Sequence, residues 1–414
     1  MIKQFGDGRD WFFEKRFGLF IHWGLYALGG WHEQEMQRRN ISRQEYSKQI
    51  SEFNPVNFDP DKWLDLAEAA GMEYLCFTTK HHDGFCLWDT AQTDFNIMNT
   101  PYGKDTLAML ADACHRRNFP LCLYYSVVDW HHPNYPNQGR HHETPGPEDN
   151  DVDDMKKYMD FLKEQIRELC SNYGKIHGIW WDMNVPEYVD KSVNAMIREL
   201  QPQAVINDRG FDTGVRVPGN GDFSTPEREM PDGQEFTSPT EACQSLGVQS
   251  WGYKTDEDFF SDKFLMQSID KILAMGGNFL LNAGPKPDGT IQQEFQDSLR
   301  NIGNWFGKVK EAFHGTEPVS KLTKNQDVLL TRKGNNLYVH LCRESQSSTV
   351  LLPPLELQVS KAILLNTGQE LEAVIDSRTA EWRNKEEHRC LRIRKLPVNK
   401  LNNTVPVIKL ELTP

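Results

Sequence analysis

No stretch of about 18 residues runs apolar and uncharged, so a membrane-spanning helix is not expected. The opening MIKQFGDGRDWFFEKRFG lacks the apolar centre of an export signal, and a cytoplasmic location is the expectation. Basic residues are in deficit, 46 Lys and Arg against 59 Asp and Glu, a formal net charge of -13. That argues against nucleic acid and anionic membrane as partners. None of the eight cysteines forms a CxxC pair, and Cys76 and Cys122 lie inside apolar runs. They read as free buried thiols of a reducing compartment. The HExxH pattern is missing, and no Gly-rich nucleotide fingerprint follows the first apolar run. No cofactor is expected.

What is present begins with length. A chain of 414 residues suits a large domain plus a smaller one. Apolar runs at 18–24, 74–79, 121–126, 178–182, 204–209 and 277–284 read as buried strands. Helical patterns separate them at 60–70, 105–117, 155–170, 189–200, 262–275 and 292–313. Asp59-Pro60 is a helix start, with Asp as cap and Pro in the first turn. The acidic run 148–154 sits where carboxylates favour a helix dipole; it lacks the Gly and closing Glu of a calcium loop. The stretch 210–250 is loop-like, and Ser250 to Tyr253 reads as a further strand. Alternation of this kind predicts a parallel sheet, and about 300 residues suits a (β/α)8-like TIM barrel over residues 1–318. A doubly wound sheet is the alternative. After Pro318 short alternating runs at 328–331, 337–340, 348–352, 362–365, 390–393 and 405–412 predict a small C-terminal antiparallel β-sandwich over 319–414.

The run Gly178 to Met183 (GIWWDM) is central. A buried strand that ends in Asp182 must pair that carboxylate, hydrogen-bond it or use it. In an α/β barrel such a strand end opens into the active site. Asp182 is therefore either a nucleophile or the cap of the next helix.

Other strand ends and loops supply His22, Glu33, His81, His82, Arg209, Glu227 and Glu241. Two carboxylates among His and Arg donors suit glycoside hydrolysis: one attacks the anomeric carbon, the other protonates the leaving oxygen. The 11 Trp, 12 Tyr and 22 Phe can cover apolar sugar faces or fill cores. A metal site built from His22, His81, His82, His131 and His132 is the rival reading. Adjacent histidines on a strand point to opposite faces, so one segment rarely gives both to one ion unless it bends.

Several motifs together resemble family 29 glycoside hydrolases, the retaining α-L-fucosidases. They are Phe17 to Gly24 (FGLFIHWG), Lys80 to Phe85 (KHHDGF), Tyr124-Tyr125-Ser126 with Asp129-Trp130, and Trp180 to Met183. Asn207-Asp208-Arg209, Ser250 to Tyr253 (SWGY) and Asn278 to Pro285 (NFLLNAGP) complete the series, which runs over residues 10–315.

The resemblance implies a distorted barrel followed by a β-sandwich, with no metal. It implies Asp182 as nucleophile and Glu227, in Ser224-Thr225-Pro226-Glu227, as acid/base, with Glu241 the alternative. His22, Glu33, His81, His82, Tyr125, Trp180 and Arg209 match positions around the fucose, and Trp251 an aromatic facing its C5 methyl. The chain departs from the family at Glu33-Gln34, where Glu-Trp is common; the neighbouring Trp31 is the candidate substitute. The implied activity is release of terminal α-L-fucose from fucosylated oligosaccharides or glycoconjugates. A sugar-binding barrel without turnover and hydrolysis of α-L-galactosides are the alternatives. Linkage and aglycone are read by loops such as 133–150 and 210–240, and oligomeric state has no signature in the sequence.

Overall fold

The computed structural model describes residues 2–140, 142–144, 148, 151–183, 190–211, 221–228, 231–344, 347–379 and 387–413. Parts of the loops 133–150 and 210–240, and the start of the helical pattern at 189, lie outside the described residues.

Seven parallel strands form one curled sheet: β1 (Phe17–Ile21), β2 (Leu75–Lys80), β3 (Leu121–Ser126), β4 (Gly178–Asp182), β5 (Val205–Ile206), β6 (Glu241–Ser245) and β7 (Asn278–Ala283). Their order is β5-β4-β3-β2-β1-β7-β6. Six longer helices accompany them, five between strands and the last after β7: α1 (Pro60–Ala69), α2 (Thr106–Arg116), α3 (Met155–Asn172), α4 (Lys191–Leu200), α5 (Asp262–Ala274) and α6 (Gln293–Val309). Local chemistry starts most of them. Asp59, Asp105, Asp154, Asp190 and Ser261 each accept a hydrogen bond from a first-turn backbone N–H.

The strands are buried on both faces, and their alternation sorts the core into two clusters. Leu19, Ile21, Leu75, Phe77, Leu123, Ile179 and Leu281 pack outward against the helices. Phe20, Cys76, Cys122, Tyr124, Trp180, Cys243 and Leu280 fill the concave interior.

The segment 221–228 lies between the edges of β5 and β6 and bonds to both. Asp222 N donates to Ile206 O (2.6 Å), and Asp208 N to Phe223 O (2.9 Å). On the other side Glu241 N donates to Ser224 O (2.8 Å) and Arg228 N to Cys243 O (2.9 Å).

One expectation fails here, and one strand has no counterpart in the sequence reading. The strand expected at Ser250 to Tyr253 is a loop; the strand is Glu241–Ser245, masked in the sequence by its polar Glu, Gln and Ser. The long strand Gln369–Thr379 also had no apolar run to announce it.

From Glu317 the chain builds an eight-stranded antiparallel sheet: β8 (Glu317–Pro318), β9 (Leu329–Lys333), β10 (Asn336–His340), β11 (Thr349–Leu352), β12 (Gln358–Leu364), β13 (Gln369–Thr379), β14 (Glu387–Arg394) and β15 (Val407–Thr413). Its order is β11-β14-β13-β12-β15-β10-β9-β8. Val350 and Leu352 of β11 share one core with Leu330 of β9 and Val339 of β10, and Asn325, just before β9, donates its Nδ2 to Leu351 O of β11 (3.3 Å). This sheet docks on α5 and α6. Asp270 and His340 make a fully buried pair (2.8 Å), and Trp305 Nε1 donates to Val405 O (2.9 Å).

Six of the cysteines are buried and two, Cys342 and Cys390, are half-buried; all eight are free.

Candidate active site

Parallel strands raise their C-terminal ends to one rim, and the chemistry collects there. Asp182 closes β4 and is hydrogen-bonded at both oxygens. Arg209 Nη1 donates to Oδ1 (2.9 Å), as does the Met183 backbone N–H (3.0 Å). The Tyr124 hydroxyl donates to Oδ2 (2.6 Å), and His82 Nε2 lies 3.7 Å from the same oxygen. Burial opposes ionisation of this carboxyl. His82, the Arg209 guanidinium and the Tyr124 hydroxyl outweigh it and hold the group below the usual carboxylate range.

Glu227 behaves in the opposite way. It sits half-exposed on the segment 221–228, with Oε1 2.6 Å from Arg209 Nη1. Burial, helped by the charge of Asp182, raises its carboxyl despite the arginine. One nitrogen thus touches both carboxylates. The two oxygens are no farther apart than the 2.9 Å and 2.6 Å legs combined, about 5.5 Å.

Arg209 is itself fixed. Its Nε donates to Thr225 Oγ1 (2.7 Å), its Nη2 to Thr225 O (2.8 Å), and its guanidinium lies 4.7 Å over the Trp180 ring.

The histidines are neutral hydrogen-bonders. Burial pushes both His22 and His82 down to about 4 and His81 well below its usual value. Neighbours define their tautomers. Ser126 Oγ donates to Val128 O (2.7 Å), so it accepts from His82 Nδ1 (2.6 Å), leaving His82 Nε2 as an acceptor. Asn282 Nδ2 donates to Trp251 O (2.7 Å), which turns its Oδ1 to His22 Nδ1 (2.7 Å) and leaves His22 Nε2 as an acceptor. His81 Nδ1 is buried and has no partner among the described residues.

Both His81 and His82 reach the site because the β2–β3 register shifts between Thr78 and Lys80, the bend that adjacent histidines require. Gly84 then turns the chain at φ +79, where a Cβ would stand 2.5 Å from Asp129 Oδ1.

Glu33 is buried and acts on the loop beyond β6. Its Oε2 accepts from Ser250 Oγ (2.6 Å) and Trp251 N (2.9 Å). Burial opposes its ionisation, and His32 with Ser250 overcomes this and lowers it. Trp251 stacks on His22 (5.3 Å, 28°) and carries the Arg228 guanidinium 4.7 Å from its ring centre.

The structure therefore brings together His22, Glu33, His81, His82, Trp180, Asp182, Arg209, Glu227 and Trp251. Tyr125 is a correction. Its hydroxyl donates to Gln165 Oε1 (2.6 Å) on the helix side, with Lys80 4.5 Å from its ring centre. Its neighbour Tyr124 holds the place in the site. Strand parity carries that signal: Trp180 and Asp182 share a face, and the register pairs them with Tyr124 and Ser126. Glu241 is not at the rim but at the start of β6, where Tyr74 and Trp180 bond it (2.6 and 3.1 Å). Asn282, Thr225 and Ser126 lie within the quoted motifs but carry no role in the sequence reading, because small polar residues act here only through what they orient. Gln34 stands beside the site and bonds His142 Nδ1 (2.9 Å), while Trp31 lies under Arg39 (4.3 Å).

An ionised carboxylate and a raised carboxyl on one arginine, among neutral imidazoles and aromatic faces, are the equipment of a glycoside hydrolase. The family model for alpha-L-fucosidase matches residues 4–311, and the chain belongs to that family, glycoside hydrolase family 29. The chain is similar to the tissue alpha-L-fucosidase of Homo sapiens, 27% identical over 87% of this chain and 82% of that one. Among solved structures, alpha-L-fucosidase isoenzyme 1 from Paenibacillus thiaminolyticus superposes with a TM-score of 0.87 at 33% identity, over 99% of this chain and 100% of that chain. A GH29 alpha-L-fucosidase from Bacteroides thetaiotaomicron, solved as a trapped covalent intermediate with 2-fluoro-fucosyl fluoride, gives 0.82 at 26%, over 99% of this chain and 97% of that chain.

Proposed function

We propose that this enzyme releases terminal α-L-fucose from fucosylated glycans by double displacement, with Asp182 as nucleophile and Glu227 as acid/base. The observation that carries this reading is the single Arg209 nitrogen shared by the two carboxylates. It keeps them within about 5.5 Å, the spacing of retaining rather than inverting glycosidases.

In the first step Asp182 attacks the anomeric carbon while Glu227 gives its proton to the leaving oxygen, forming a β-linked fucosyl-enzyme. In the second, Glu227 takes a proton from water, which attacks the same carbon and frees Asp182. The net result is retention. His22, His81 and His82 offer ring nitrogens to sugar hydroxyls, and Trp251 offers its face to the C5 methyl. The covalent intermediate in the Bacteroides relative supports the same route here.

The segment 221–228 is read as the eighth member of a closed (β/α)8-like barrel over residues 1–318, because both sheet edges bond to it. Residues 319–414 are read as a β-sandwich whose shared core links both ends of its sheet. Closure matters for the chemistry, since Glu227 stands on that eighth segment.

The test is hydrolysis of an aryl α-L-fucoside by wild type beside Asp182→Ala, with azide added to the variant. Turnover by wild type, loss in the variant and formation of β-fucosyl azide are expected. An Asp182→Ala enzyme with wild-type rates would overturn the assignment.

A further inference from the structure

Below the rim lies a carboxyl that the double displacement does not use. Glu241, 3% exposed, opens β6 at the end of the strand remote from Asp182. Its Oε2 accepts from the Tyr74 hydroxyl (2.6 Å) and its Oε1 from Trp180 Nε1 (3.1 Å). Cys76 on β2, Cys122 on β3 and Cys243 on β6 share the interior with it, and none of these groups is a cation. Burial pushes the carboxyl up to about 7. An acid in such surroundings is costly, and an apolar residue would suit the barrel interior better.

Trp180 gives the acid a purpose. Its indole is held at the N–H edge by Glu241. Its ring carries Arg209 at 4.7 Å and stacks on Tyr124 at 5.7 Å and 17°. Arg209 and Tyr124 are the side chains that hydrogen-bond the two oxygens of Asp182.

We propose that Glu241 is a positioning residue for the nucleophile: by fixing the Trp180 indole from beneath, it sets Arg209 and Tyr124 on Asp182. The inference rests on Asp182 being the nucleophile. Glu241 touches neither substrate nor reacting atoms and acts through one aromatic ring. A freed indole can tilt, and the two donors packed on it then lose their aim.

The experiment compares pH profiles of kcat/KM on an aryl α-L-fucoside for wild type, Glu241→Gln, Glu241→Leu, Trp180→Phe and the Glu241→Leu/Trp180→Phe double variant. Gln keeps an acceptor for the indole N–H; Leu does not. Expected are a fall of about tenfold in kcat with little change in KM for Glu241→Leu, and an acidic limb displaced to higher pH, because Asp182 is held down less firmly. Glu241→Gln should restore the wild-type acidic limb. The double variant should be no worse than Trp180→Phe alone, since both lose the same contact. If Glu241→Leu does not fold, Trp180→Phe must still displace the acidic limb. A wild-type limb in Glu241→Leu or Trp180→Phe, or additive losses in the double variant, overturns the proposal. Activity surviving in Asp182→Ala would instead overturn the nucleophile assignment, so the two failures are separable.

Discussion

Two carboxyl groups of similar intrinsic acidity are driven apart by their surroundings at this site. Asp182 accepts three hydrogen bonds and its carboxyl is held down; burial and the charge of Asp182 raise that of Glu227. The pH profile of kcat/KM should therefore be bell-shaped. With the proposed roles, activity is lost as pH falls below the lowered Asp182 value, where the proposed nucleophile gains a proton, and as pH rises past the raised Glu227 value, where the proposed acid loses its own. In Glu227→Ala the basic limb should vanish, with a loss of about 10²-fold or more. Azide should then be captured as α-fucosyl azide, because it attacks the β-linked enzyme intermediate. Opposite anomers from the Asp182→Ala and Glu227→Ala variants, read by NMR, distinguish the two roles.

At the scale of the element, strand parity controls which tyrosine works. Tyr124 and Tyr125 are adjacent on β3, and a one-residue step moves a side chain from the concave interior of the curled sheet to the helix layer. Tyr124→Phe removes a hydroxyl that donates to an ionised carboxylate. A loss of about tenfold or more in kcat/KM is expected, with the acidic limb moved upward. Tyr125→Phe should leave kcat/KM unchanged and lower stability by about 1–3 kcal/mol, because buried Gln165 Oε1 loses its donor. Thermal unfolding beside steady-state kinetics separates the pair.

At the scale of the molecule, the C-terminal sheet meets helix α5 through the buried Asp270–His340 pair. His340→Leu would leave Asp270 without its partner in a place with no solvent, and a loss of about 3–5 kcal/mol follows. A matched melting temperature in the variant would show that the pair contributes nothing. Acid lability is also built in. Burial depresses His22, His82, His131 and His177 to about 4. A depressed imidazole binds fewer protons in the folded than in the unfolded chain, so stability is lost as pH falls from about 6.5 towards 4. Burial raises Asp83 and Glu241 to about 7 and works the other way over an overlapping range. With more histidines than carboxyls involved, the melting temperature should rise from pH 4 to 6.5.

The sequence by itself determined the alternation of buried strands and amphipathic helices, the helix starts at Asp59 and Asp105, the change to short strands near Pro318, and the carboxylate that ends the GIWWD strand. These are legible because periodicity, capping and burial are local, and because strand ends with polar residues stand out against apolar runs. The family followed from seven short motifs in order. Tertiary structure alone decided three things. It chose Tyr124 over Tyr125, since parity matters only once β3 is in register with β4. It put Glu227 beside Asp182 and Glu241 beneath it, since both carboxyls come from a region with no periodic signal. It also assigned the histidine tautomers, through Ser126 and Asn282. Each of these depends on distances between residues far apart in the chain, and hydrophobic pattern carries no information about those distances until the sheet has curled and brought its strand ends together.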